Sequence, residues 1–134
     1  MKSILLAAGL FVASFAPAFA NEEDVQATIQ NQINAFMADD FGKAFTYASP
    51  MIKGMFGGNP ERFGAMVRNG YPMVHRPADV MFLESREVDG GFRQMVQIRD
   101  GNGNFHTLDY QVINSENGWV INGVQLIKAP SMGA

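Results

Sequence analysis

Few residues in this 134-residue chain have the chemistry for catalysis or specific binding. It has two histidines, His75 and His106, and no cysteine. Imidazole titrates near neutrality and is the commonest general acid or base. His75 stands just before Arg76-Pro77, where helical patterning gives way to strand patterning. There it can transfer protons at the mouth between helices and sheet, or it can simply bond a backbone carbonyl. His106 shares a strand face with Leu108, Tyr110 and Val112, whereas Asp109 has the opposite parity. A His106–Asp109 dyad on that face is therefore not expected, and Asp109 is expected to pair with Arg93 across the other face. Glu84 is the nearest candidate for an inward carboxylate, because the register of its strand is open; otherwise it faces solvent beside Arg86 or Arg93. Tyr47 and Tyr110 can present hydroxyls to an interior space, and Trp119 can stack a ring there. Tyr47, His75, Tyr110 and Trp119 are the candidate ligand-lining residues. Catalysis by proton transfer needs a matched titratable pair, none is apparent, and no catalytic residue is assigned.

Other chemistries fall away by composition. Without cysteine there is no thiolate nucleophile, disulfide or Cys-ligated metal. No His/His/carboxylate set stands at metal spacing, so neither a metal nor another cofactor is expected. Asp100-Gly101-Asn102-Gly103-Asn104 imitates the start of a calcium loop, but the sixth position is Phe105 and the twelfth Gln111, where Gly and Glu are required. A hairpin turn explains the run. Nine methionines include the initiator. They are dispersed on apolar faces, which suits core filling better than thioether binding of copper(I), although Met51 and Met55 lie four residues apart. The formal charge of −3 gives no basis for nucleic-acid binding.

Before any of these residues can act, the elements that carry them must form. Residues 1–20 read as a cleaved signal peptide: Lys2, an apolar run from Ile4 to Ala16, then Ala18-Phe19-Ala20 as a small-x-small cleavage site. Cleavage leaves residues 21–134 as a single domain, periplasmic or secreted, with no remaining membrane segment. Val25, Ile29, Ile33 and Phe36 mark one face of a first helix. Phe41, Ala44, Phe45 and Ala48 continue helical spacing, and Ser49-Pro50 caps a short apolar stretch through Phe56. Asn59-Pro60 starts a third helix that buries Phe63, Met66, Val67 and Tyr71. Tyr71-Pro72 and Arg76-Pro77 are expected to close the helical half.

From Asp79 onward, four strands alternate with turn signals at Asp89-Gly90, Gly101-Asn102-Gly103 and Asn117-Gly118, predicting an antiparallel meander. A three-residue loop at Gly101–Gly103 sets Ile98 opposite His106, Val96 opposite Leu108 and Phe92 opposite Val112. A two-residue loop would scramble the buried face. Pairing Asn114 with Trp119 sets Val112 opposite Ile121. Val124 and Leu126 then have the wrong parity, which a bulge at Asn122-Gly123 would restore. The first strand is apolar on both sides, with Val80 and Phe82 on one and Met81 and Leu83 on the other. An outer-face stripe containing Met81 and Met95 suits a homodimer. The expected architecture is α+β: three N-terminal helices packed on a curved four-stranded antiparallel sheet.

Asp39-Asp40-Phe41-Gly42-Lys43-Ala44-Phe45, leading to Tyr47-Ala48-Ser49-Pro50, is similar to the junction of the first two helices in nuclear transport factor 2-like (SnoaL-like, cone-shaped) domains. Gly118-Trp119-Val120-Ile121-Asn122-Gly123-Val124 resembles their last strand. The chain also resembles a family of small exported bacterial proteins of undetermined function, through Pro60-Glu61-Arg62-Phe63-Gly64-Ala65-Met66-Val67, Gly70-Tyr71-Pro72-Met73-Val74 and Arg76-Pro77-Ala78. The resemblance implies a cone with an interior cavity. It leaves function open, because isomerases, dehydratases, cyclases, transport factors and binding modules share that fold. Ketosteroid-isomerase-like members place a carboxylate base inside the cavity, and scytalone-dehydratase-like members use Asp with His; neither arrangement is visible here. The expected function is a non-catalytic module binding a small apolar molecule or a protein partner. The alternative is an acid–base enzyme with His75 or Glu84 as proton acceptor.

Overall fold

A computed structural model describes residues 18–116 and 118–128. Most of the expected leader lies outside them. Helix α1 (Ala18–Met37) runs through Ala18-Phe19-Ala20 and buries Val25, Ile29, Ile33 and Phe36 at the predicted spacing. Asp39 then takes a left-handed backbone, φ 56°, which turns the chain sharply. Asp40 caps α2 (Phe41–Thr46) by accepting from the Lys43 amide. Ser49 caps α3 (Pro50–Met55), and Asn59 caps α4 (Pro60–Gly70) by accepting from the Glu61 and Arg62 amides.

Among the described residues five helices form where three were expected. The middle one is divided, because Pro50 starts a helix of its own. Pro72 does not end the helical half but opens α5 (Pro72–His75). A proline is at home at the first helical position, where its missing N–H leaves no bond unmade. The same residue type therefore stops one helix and begins the next.

The four strands, β1 (Pro77–Val88), β2 (Gly91–Asp100), β3 (Phe105–Ser115) and β4 (Gly118–Ile127), form one open antiparallel sheet in sequence order. The pairs Ile98–His106, Val96–Leu108, Phe92–Val112, Asn114–Trp119 and Val112–Ile121 all form as predicted. In β4, Gln111 opposes Gly123 while Val112 opposes Ile121, so Asn122 is the extra residue of a bulge. Val124 returns to the core face, opposite Tyr110. Leu126 regains the same parity opposite Leu108 but stays 42% exposed, since the helical layer does not cover that end of the edge strand. In β1, Leu83 and Glu84 together oppose Met95, a second bulge. Val80 and Phe82 pack on the core, and Met81 faces out.

The core lies between α1 and the sheet, where Val96, Ile98, Leu108 and Val112 are fully enclosed. Phe36, Phe45, Phe56 and Phe63 form an aromatic group beneath the shorter helices. Backbone bonds from Ile121 N to Tyr47 O and from Ser49 N to Ile121 O, both 2.8 Å, lay residues 47–49 along β4 as a short parallel bridge.

Candidate functional site

The helices and sheet do not fill the space between them. A cavity of about 340 Å³ remains, well above the water-sized voids usual in protein interiors. Gln32 and Phe36 of α1 form one side, and Ile52, Met55 and Phe56 of α3 and its following turn form the mouth. Phe63, Met66 and Val67 of α4 make a third wall, with Tyr71 and Val74 beyond it. The sheet contributes Tyr110, Ile121, Gly123 and Val124. The Asn122 bulge decides this last wall, because it turns Val124 inward. Helix α3 has no buried residue, and Met55 is 67% exposed at the mouth.

Among the described residues, no Asp, Glu, Lys, Arg or His lines the cavity. Its polar groups are neutral. The Gln32 amide donates to the Ala44 carbonyl at 3.2 Å, and the Tyr71 hydroxyl donates to the Val124 carbonyl at 3.2 Å. Tyr110 is 1% exposed, and its hydroxyl has no hydrogen-bond partner among the described residues. Burial, with a smaller contribution from Tyr71, pushes the Tyr110 phenol well above its ordinary range and keeps it protonated.

Of the four residues expected to line a ligand site, Tyr110 lines this cavity, and Tyr47, His75 and Trp119 do not. Tyr47 holds β4 through its backbone carbonyl. Trp119 packs edge-on against Phe92, ring centroids 5.7 Å apart, and borders a more open depression with Glu87 and Asn114. His75 meets the Asp39 carboxylate at 2.7 Å instead of bonding a carbonyl. Arg76 bonds both Asp39 oxygens and donates to the Phe36 and Met37 carbonyls, thereby capping the end of α1. His75 first and Arg76 second hold the Asp39 carboxyl below the usual carboxylate range. The cluster latches the C-terminus of α1 to the start of β1.

His106 likewise pairs with Asp100, at 2.8 Å. Asp100 also accepts from the Asn102 and Asn104 amides, so the calcium-like run is a self-bonded hairpin turn. His106 first, then the Asn104 amide, lower the Asp100 carboxyl. The expected Arg93–Asp109 pair forms at 2.8 Å. Glu84 is exposed in the β1 bulge, away from the cavity. Among the described residues, no three His, Asp or Glu side chains come together as a possible metal site.

Sequence reasoning missed Gln32 and the part played by Tyr71. Gln32 sits one residue before Ile33 on the edge of the apolar face of α1, a buried amide whose partner lies on another element. Tyr71 was legible as part of the buried helical face, but its hydroxyl meets β4 only after the bulge has formed.

These observations define an α+β protein: helices on one face of an open four-stranded antiparallel sheet, with an apolar cavity between the layers. The chain belongs to the family described as Domain of unknown function (DUF4864), which it matches over residues 18–134. No curated protein and no solved structure matches it.

Proposed function

We propose that the chain is an exported, non-catalytic binding module that holds a small apolar molecule between helices and sheet. The observation carrying this reading is the cavity, about 340 Å³ with an almost wholly apolar wall. Ligand sites are typically concave, mostly apolar and of about 300–1,000 Å³. The neutral wall favours binding over acid–base catalysis, because neither His75 nor Glu84 reaches it. A helical layer over an antiparallel sheet, with an interior space, also supports the nuclear transport factor 2-like resemblance. Export rests on the composition of residues 1–20. The homodimer expectation draws support from the outer sheet face, where Met81 is 52% and Phe105 64% exposed. Sedimentation showing only monomers at high micromolar concentration removes it.

Native mass spectrometry of protein purified without detergent tests the main reading. A co-purified mass that disappears in Val124→Trp, a substitution that fills the cavity from β4, is the expected result. Retained near-ultraviolet dichroism in that variant establishes that its fold is intact. Undiminished binding in the filled variant would sink the assignment.

A further inference from the structure

We propose that the ligand is a single-chain fatty carboxylate, whose hydrocarbon tail fills the cavity while its anionic head stays at the mouth beside Lys53 and Arg62. This rests on the reading of the cavity as a binding site and specifies the chemistry of its occupant.

Charge is unevenly distributed along the chain. Residues 41–76, which supply α2 to α5, hold five Lys or Arg (Lys43, Lys53, Arg62, Arg68 and Arg76) against one acid, Glu61, in a protein of net charge −3. The short helices are thus cationic on an otherwise acidic molecule, and such asymmetry draws anions to one face. Part of this charge is already engaged. Arg76 pairs with Asp39, and Arg68 lies over the Phe41 ring, 5.0 Å from its centroid. Lys53 and Arg62 have no acidic partner among the described residues.

Both of these residues stand beside the mouth. Lys53 is half-buried on α3, between Ile52 and Met55, which line the cavity. Arg62 is exposed in the first turn of α4, next to the lining Phe63. Its Nη1 lies 3.9 Å from where a Cβ on Gly57 would stand, so the guanidinium reaches back to the turn that follows Phe56. Glu61 precedes Arg62 in sequence but faces another side of the helix.

Interior and mouth make opposite demands on an occupant. Inside, a charged group would lose its hydration without gaining a counter-ion, so the wall favours hydrocarbon. At the mouth, water remains and unpaired cations stand near, so negative charge is favoured there. One molecule meets both demands when its charge sits at one end. If each carbon takes the ~30 Å³ that a water occupies in the liquid, the space of about 340 Å³ holds a tail of about 11 carbons. That is one acyl chain and leaves no room for the second chain of a diacyl lipid.

Decanoate, decanol and decylammonium carry one tail and three heads. Each is titrated at neutral pH, below its micelle concentration, into the protein and into the double variant Lys53→Gln, Arg62→Gln, following methyl NMR signals of Ile52, Val67 and Val124. The expected result is that decanoate binds at least about fivefold more tightly than decylammonium, and that the double variant weakens decanoate about fivefold while leaving decanol unchanged. Unchanged decanol binding also shows that the variant is folded. Raising the ionic strength weakens decanoate and not decanol. Equal decanoate affinity in the two proteins, a loss shared equally by decanol, or decylammonium binding as tightly as decanoate overturns the anionic head while leaving the apolar site standing. If no probe moves the lining methyl signals, the cavity is not a binding site for this class, and both readings fall together.

Discussion

The Ser49 hydroxyl donates a 2.7 Å hydrogen bond to the side-chain oxygen of Asn122, the extra residue of the β4 bulge. The same hydroxyl accepts from the Ile52 amide and so caps α3. One buried serine thus joins the mouth of the cavity to its sheet wall. Replacing Ser49 by Ala removes both bonds and leaves Asn122 without this donor. A loss of about 1–2 kcal/mol is expected in urea unfolding, with faster amide exchange across residues 51–56.

Gln94 is fully buried on the core face of β2 and does a related job at the other bulge. Its amide nitrogen donates to the Leu83 carbonyl at 2.9 Å and the Met95 carbonyl at 2.8 Å, and its oxygen accepts from Gln26. Gln94→Leu keeps the volume but abandons these groups. A destabilisation of about 1–3 kcal/mol is expected, measured by the same denaturation.

Acid should loosen the end of the molecule where helices pass into strands. Asp39 and Asp100 both have carboxyls held below the ordinary 3.8 by paired histidines and further donors. A depressed folded-state pKa contributes stability that is present above the unfolded value and is lost as pH falls through the folded one. Melting temperature is therefore expected to decline below about pH 4. Asp39→Asn, which tolerates the left-handed backbone, should flatten part of that decline. An unchanged slope would show that the Asp39 latch contributes nothing to acid sensitivity.

Two glycines are fixed by their neighbours. At Gly64, inside α4, a Cβ would stand 2.5 Å from the Phe41 ring. Alanine gains about 1 kcal/mol in helix propensity, but overpacking typically costs about 1–3 kcal/mol, so the net effect of Gly64→Ala is destabilising. At Gly91 the obstacle is the Val112 backbone carbonyl, which cannot swing aside like a ring. Gly91→Ala should cost more than Gly64→Ala in parallel thermal melts.

Without a ligand, Tyr110→Phe should be neutral or stabilising, because it deletes a buried hydroxyl that lacks a partner. An increase in melting temperature of up to about 4 °C is expected. A clear decrease would mean that the hydroxyl is already satisfied in the unliganded protein.

Much of the fold was legible because period-2 alternation tolerates no slip when one face is buried. Val96 with Leu108 and Val112 with Ile121 follow from this, as does the bulge needed to return Val124 to the core. Ser49-Pro50 reads correctly as a cap and start, and only the short stretch after it goes uncounted as a helix, whereas Pro72 is misread, since proline before a helix and proline after one look alike locally. The candidate site was less legible. His75 and Trp119 have the right chemistry for a ligand site, but the one is engaged by Asp39 and the other packs on Phe92.

The sequence alone determined where apolar side chains recur, where turns fall and which cysteine-dependent chemistries are excluded. These are properties of neighbouring residues, set by periodicity, backbone preference and composition. Only the tertiary structure decided that Asp39 meets His75, that Gln94 serves a bulge, and that Gln32, Tyr71 and Tyr110 surround the same cavity. Those relationships join residues dozens of positions apart on different elements. They depend on how the packed layers meet, and local patterning contains no measure of that distance or of the space left unfilled.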